Sequence, residues 1–283
     1  MSIERSTRRY TLALMCITAG GSLLFFLPLT ILSPATPLWV RIVFAAGSLV
    51  IEAWAVYAVG QRLARKMINR IDRAFRSEKA FVGNASHELN NPLTAIQGEC
   101  EITLLKERSA DEYKLALHRI SEETSRIISL MQRLRFLSKG EGEILRSGTE
   151  TVILAEFIMQ HFNGDRISFS TDNFSFTLEI NPELLKTALE NIIGNALKYS
   201  GNKTVELRLR AYALDIADKG IGIPPNEIDR VFQPFYRAVN TREYAGNGIG
   251  LSLSIHILRA YGAEVSISSV INEGTRVRID FKP

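Results

Sequence analysis

The chain has 283 residues, 46% of them hydrophobic, and a mean hydropathy of +0.04. That balance is too apolar for an ordinary soluble enzyme and too polar for membrane spans alone, so it points to membrane segments joined to roughly two soluble modules. A formal net charge of +4 is small for this length and gives no sign of direct nucleic-acid binding, and Cys16 and Cys100 form neither a disulfide framework nor a metal-ligand spacing.

Residues 1–10 carry Arg5, Arg8 and Arg9 and read as a short basic terminus. Residues 11–32 are an uncharged apolar run long enough to cross a bilayer as a helix. A cleaved signal peptide is the alternative, disfavoured by the run's length and by Pro28 where a cleavage motif belongs. After SPATP, residues 33–37, a second apolar run covers residues 38–60, followed by Arg62, Arg65, Lys66 and Arg70. Basic flanks on both sides predict a hairpin with both ends cytoplasmic and a five-residue outward loop. Such a loop cannot form a sensor domain, so a stimulus has to act through lipid, a partner membrane protein or the helices themselves. Arg41 can snorkel to the headgroups, whereas Glu52 lies deeper, where a carboxylate is protonated, paired or functional.

In the linker, residues 61–76, Leu63, Met67, Ile71 and Phe75 recur at four-residue steps. One continuous helix is predicted, rising about 40 Å from Gly60 to His87. The periodicity runs on through Leu89, Leu93, Ile96 and Cys100 to about Glu107, and leaves His87, Glu88, Asn90 and Asn91 outside the apolar stripe. His87 and Asn91, four apart, share an exposed face with Glu88 beside them. Pro92 removes the hydrogen bond to the Glu88 carbonyl and predicts a kink next to the histidine. A carboxylate such as Glu88, accepting one ring N–H, leaves the other nitrogen of His87 as nucleophile or base. The alternative is a solvated helix histidine with a chance acidic neighbour.

Arg108 to Ala110 breaks the pattern, and a second helix is predicted from Asp111, with Glu112 in its first turn. Leu117, Ile120, Thr124, Ile127, Met131 and Leu134 form a coiled-coil seam, beside which His118 reads as a structural or surface histidine. Two such helices cannot cover their apolar faces alone, so residues 77–140 are expected to pair with a second copy as a dimeric four-helix bundle. KGEGEILRSG, residues 139–148, reads as a hinge.

From about residue 150 strands and helices alternate, which predicts an α/β sandwich over residues 150–283. Strands are predicted at Val152 to Ile153, Ile167 to Ser170, Phe174 to Ile180 and, around Ala211 and Tyr212, Thr204 to Ala217. A helix from Pro182 to Ser200 is capped by Asn181. Three clusters carry chemistry. Asn191, Asn195 and Lys198 form a polar stripe among Leu189, Ile192, Ile193 and Leu197. An amide oxygen there suits Mg²⁺ bridged by phosphates, and the lysine supplies charge. In DKGIGIP, Asp218 ends a strand, and Gly220 and Gly222 let the backbone turn close to a ligand. In GNGIGLSLS, Gly246, Gly248 and Gly250 precede a helix from Leu251, whose free N–H groups form a phosphate cradle. Singly, each cluster also reads as an ordinary turn or loop.

SHELNNPLTAI, residues 86–96, resembles the phospho-acceptor box of two-component sensor histidine kinases, usually SHELRTPLTAI. Asn90 and Asn91 stand in place of the basic residue and the threonine. ENIIGNALKYS, DKGIGIP, FQPFYRA (Phe232 to Ala238) and GNGIGLSLS are similar, in that order, to the boxes of the histidine-kinase ATP-binding domain. The resemblance implies that Asn195 carries Mg²⁺, that Asn191 and Lys198 contact phosphates, that Tyr199 covers the adenine and that Asp218 reads its amino group. It makes Asn226 to Asn247 a lid latched by Phe232 and Phe235, with Arg237 and Arg242 as phosphate contacts. The related gyrase and chaperone ATPases place a water-activating glutamate where this chain has Asn191, so hydrolysis is expected to be slow and His87 to be the acceptor.

The expected protein is a sensor kinase of the bacterial inner membrane that passes the phosphoryl group to a separate response regulator. By the same resemblance, Asn91 positions water to remove that group again. Two alternatives stay open: a membrane adaptor that binds ATP for conformational control, and a net phosphatase.

Overall fold

The computed structural model describes residues 37–281 other than 147 and 242. The first predicted span, the loop up to residue 36, and Arg242 lie outside the described residues, as do the side chains of Arg41 and Glu52. The chain divides into two units, Met1–Lys79 and Ala80–Pro283.

In the first unit the described residues form the beginning of helix α1 (Leu38–Leu104). Its large apolar side chains stand exposed, Trp39 at 67% and Trp54 at 71%. Among the described residues no helix is long and apolar enough to cross a membrane. The spanning assignment of residues 38–60 therefore rests on their sequence.

In the second unit α1 runs through Pro92 without interruption and ends a turn earlier than the periodicity predicts. Helix α2 (Ala110–Leu137) starts ahead of the predicted Asp111 because Ser109 is its N-cap. The Ser109 hydroxyl accepts from the Glu112 N–H at 3.3 Å, and the Glu112 carboxylate accepts from the Ser109 N–H at 2.9 Å. This reciprocal capping box satisfies two donors that a start at Asp111 leaves open. Arg119 and Glu99 pair across the two helices at 3.3 Å. Leu115, Leu117, Ile128 and Met131 remain exposed on the single chain.

The predicted hinge is not loose. It contains a short helix, α3 (Glu141–Leu145), whose Ile144 is fully buried. The α/β domain then runs β1 (Glu150–Ile153), α4 (Leu154–His161), β2 (Ile167–Thr171), β3 (Thr177–Ile180), α5 (Pro182–Tyr199), β4 (Val205–Arg210), β5 (Ala213–Ala217), α6 (Gly250–Ala260), β6 (Glu264–Val270) and β7 (Gly274–Asp280). Five strands form one mixed sheet in the order β2-β4-β5-β7-β6, in which only β2 and β4 are parallel; β1 and β3 pair separately.

Alternation explains the layers. In β4, Val205, Leu207 and Leu209 are buried while Arg208 and Arg210 face out. The buried face packs with Leu185, Leu189 and Ile192 of α5 and Leu253, Ile257 and Leu258 of α6 in one core. Asn181 caps α5, accepting from the Leu184 N–H at 3.1 Å, with Pro182 at the first helical position. The strand predicted from Phe174 starts only at Thr177, because Phe176 is pulled into the core and its carbonyl accepts from Leu154 N–H at 3.0 Å.

The core extends onto the hairpin. Leu130 of α2 is buried in it, and Leu89, Leu134, Phe136 and Leu137 pack against it. Helices α3 and α2 both pack on α6. His256 of α6 places Nε2 2.9 Å from the Lys139 carbonyl and its ring edge-on to Phe136.

Candidate active site

Helices α5 and α6 and the open end of β5 and β7 enclose a cleft of about 230 Å³. Asn191, Asn195, Lys198 and Tyr199 of α5 line it, with Asp218 and Gly222 after β5, Arg237 in the following loop, and Gly246, Gly248, Gly250 and Leu251 leading into α6. Gly220, Phe232 and Phe235 are not in its wall.

Asp218 sits just beyond β5 and is half-buried. Its Oδ1 accepts from the Gly220 N–H at 2.8 Å and the Thr275 N–H at 3.3 Å. Burial pushes its carboxyl above the usual carboxylate range, and those two N–H groups work in the opposite direction. With Oδ1 committed, Oδ2 is the oxygen left for a ligand. Isoleucines 192, 216, 221, 223 and 267 make the wall around it apolar, as a flat heterocycle requires.

The glycines of DKGIGIP serve the backbone more than the ligand. A Cβ at Gly220 would lie 2.2 Å from the Tyr199 carbonyl oxygen. At Gly222, where φ is +66°, it would lie 2.1 Å from the Val270 carbonyl oxygen. The loop is thus clamped between the end of α5 and the end of β6, which aims Asp218 into the cleft.

On α5, Asn191 donates Nδ2–H to the Thr187 carbonyl at 2.9 Å, which turns its Oδ1 towards Gly250. Asn195, one turn on, makes no hydrogen bond within the described residues. Lys198 reaches across to the Ala245 carbonyl. Burial, and secondarily the charge of Arg237, lower its ammonium below the usual lysine range. Tyr199 meets Tyr244 edge-on at 5.1 Å, and burial pushes its phenol up. Helix α6 begins at Gly250 with Ile249 as N-cap and no side-chain cap.

The segment Asn226 to Asn247 is held by polar contacts. Arg237 donates to the carbonyls of Thr241 and Tyr244, turning its guanidinium into its own loop rather than leaving it wholly open to the cleft. Asn240 donates to the Gly222 carbonyl at 2.8 Å, and the buried Glu227 accepts from the Val239 N–H at 3.1 Å. Phe235, with φ +66°, packs its ring at a tilt of 56° against Phe81 of α1, 5.7 Å between centroids, which takes it out of the cleft wall.

His87 is exposed on α1, as is Asn91. Their side chains meet, with Asn91 Nδ2 3.5 Å from His87 Nδ1. Among the described residues no hydrogen bond joins Glu88 to His87. Successive helical residues diverge by about 100°, so the neighbour in sequence points away while the residue four on shares the face.

The motif readings give Thr275 and Tyr236 no role and miss Arg133. The first comes from the strand beside β5, the second from within FQPFYRA, the third from α2. Alternation in TRVRIDF marks the strand that carries Thr275, and Tyr236 sits between Phe235 and Arg237 of a quoted box, but nothing local links Arg133 to the cleft.

The residues fit a metal bridged to phosphates. No group of three or more His, Cys, Asp or Glu suited to a metal occurs among the described residues. The unengaged amide of Asn195 offers a hard oxygen ligand of the kind Mg²⁺ takes when phosphates and water supply the rest of its shell.

Residues 180–283 match the family "Histidine kinase-, DNA gyrase B-, and HSP90-like ATPase", and residues 77–143 match the "His Kinase A (phospho-acceptor) domain". The chain is 33% identical over 231 residues to the signal transduction histidine-protein kinase ArlS of Staphylococcus aureus (strain USA300), covering 76% of this chain and 51% of ArlS. It therefore spans about half the length of the curated relatives it matches. Among solved structures, full-length ShkA in complex with AMPPNP superposes with a TM-score of 0.51 at 20% identity, over 69% of this chain and 44% of ShkA, a likeness of fold. With both domain matches in sequence order and the ArlS identity running through them, the chain belongs to the two-component sensor histidine kinases.

Proposed function

We propose that this protein is a membrane-anchored histidine kinase that uses ATP to phosphorylate His87 and then passes the phosphoryl group to an aspartate of a separate response regulator. The observation that carries the reading is the pairing of an exposed His87, its ring beside Asn91, with a cleft that holds Asn191, Asn195, Lys198 and Asp218 in the same unit. Asp218 Oδ2 takes the adenine amino group, Tyr199 covers the ring, and the α6 N-terminus with Lys198 holds the phosphates. Asn195 would hold Mg²⁺, which would supply charge neutralisation on the phosphates.

The tautomer with its lone pair on Nε2 carries its proton on Nδ1. Asn91, its amide turned by 180°, accepts a hydrogen bond from that N–H through Oδ1 and leaves Nε2 free to attack the γ-phosphorus in line. The N–P bond forms as the bond from phosphorus to the β–γ bridging oxygen breaks, ADP departs, and the Nδ1 proton of the exposed ring passes to solvent. Asn191 is an amide and cannot deprotonate water, which favours the histidine over hydrolysis. In the reverse role, Asn91 positions water against the phosphorylated regulator. Two hairpins pair as a homodimer, and residues 11–32 and 38–60 anchor the chain in the inner membrane, where lipid or a partner membrane protein supplies the stimulus.

Transfer of radiolabel from ATP tests this. His87→Gln is expected to abolish labelling, and persistent label would refute the acceptor. Asn91→Ala is expected to slow removal of label from the regulator by at least about tenfold; unchanged removal would refute its phosphatase role.

A further inference from the structure

The cleft described above is walled by the catalytic-type domain, with one exception. Arg133 belongs to α2, on the helical hairpin, and lines the cleft together with Asn191, Asn195 and Lys198. Its place is fixed by its own helix. Leu130 and Leu137, three before and four after, are packed into or against the domain core, so Arg133 borders the docked face of α2. That face rests on α6, whose first residues, Gly250 and Leu251, line the same cleft.

Its chemistry is unspent. The other two cations in the wall are engaged with loop carbonyls, Lys198 with Ala245 and Arg237 with Thr241 and Tyr244. Arg133 is half-buried and has no hydrogen bond or ion pair among the described residues. A partly desolvated guanidinium without an acceptor calls for an anion, and its planar fork matches phosphate oxygens. We infer that Arg133 is a phosphate-binding residue: it reaches from the hairpin to the polyphosphate of the nucleotide, so that nucleotide bridges the two domains of one chain. This rests on reading the cleft as a nucleotide site. It also lets nucleotide strengthen the docking of the domain on its own hairpin, a coupling that neither the phospho-acceptor box nor the ATP-binding boxes encode.

The test is calorimetric titration of the full chain in detergent micelles with Mg-ATP and, separately, with adenosine. Arg133→Ala is expected to weaken ATP about tenfold and Arg133→Glu further, with adenosine affinity unchanged and Arg133→Lys recovering part of the loss. ATP affinity equal to wild type in both the alanine and glutamate variants would overturn the inference. So would equal losses for ATP and adenosine, the mark of a merely structural role. Failure of the wild-type chain to bind either ligand would instead remove the nucleotide reading on which the inference stands.

Discussion

Asp218 shows how one residue can be costly to the fold and useful to the site. Burial raises its carboxyl above the ordinary 3.8, so the folded state holds a proton that the unfolded state has lost between those two values. The associated stability is complete below the unfolded value and disappears as pH rises through the folded one. At neutral pH the ionised, half-buried group is therefore a net cost. Asp218→Asn keeps Oδ1 as acceptor for the Gly220 and Thr275 N–H groups and removes the charge. It is expected to melt at the same or a higher temperature at pH 7, with the gap narrowing as pH falls towards 4, while adenine-nucleotide affinity drops at least about tenfold. Thermal melts and nucleotide titration of the same sample check both halves. Position 88 illustrates the opposite situation, a residue that the motif marks but the helix turns away. Its carboxylate is one residue from His87 in sequence and about 100° away in space.

At the scale of elements, the segment joining hairpin and domain matters most. Glycine and charge make KGEGEILRSG look like a free hinge, yet Ile144 is fully buried and α3 packs on α6. One buried apolar residue outweighs the composition of the segment, because burying it contributes about 1.5–3 kcal/mol. Any swing of the domain has to break this docking, together with the contact between His256 and the Lys139 carbonyl. Ile144→Ala is expected to cost about 2–5 kcal/mol locally and to expose Lys139 and Arg146 to trypsin. Cleavage there at the wild-type rate would show that α3 is no anchor. Helix α2 teaches a related lesson: a serine in a segment that reads as a break turns out to be the start of the helix, since its capping box needs Glu112 three residues on.

For the whole molecule, the apolar side chains that the single chain leaves uncovered on α2 decide its assembly. Leu117 is 64% and Met131 57% exposed, two heptads of the seam apart. Leucine and methionine at such positions contribute about 1.5–3 kcal/mol each when a partner covers them, and a carboxylate there opposes association outright. The double substitution Leu117→Glu with Met131→Glu is expected to shift the full chain in detergent from dimer to monomer by analytical ultracentrifugation, with its helical circular dichroism retained. A dimer of undiminished stability would place the interface elsewhere. The apolar face of α1 from Leu38 onward is a second uncovered surface, of a kind that suits lipid.

The sequence by itself determined the local chemistry: the helix periods, the capped start of α5, the polar stripe of Asn191, Asn195 and Lys198, and the order of boxes that identifies the family. These are legible because period, capping and turn chemistry act within a few residues. Helix α4 and strands β6 and β7 escaped notice, the first because eight residues give too few turns to show a period. Only the tertiary structure decided which groups converge. It brought Thr275 to Asp218, turned Arg237 onto its own loop, moved Phe235 from the cleft to Phe81, and placed Arg133 of the hairpin in the nucleotide wall. Those choices depend on packing between elements far apart in the chain, where a side chain's nearest partner is set by which faces are buried together and not by its neighbours in sequence.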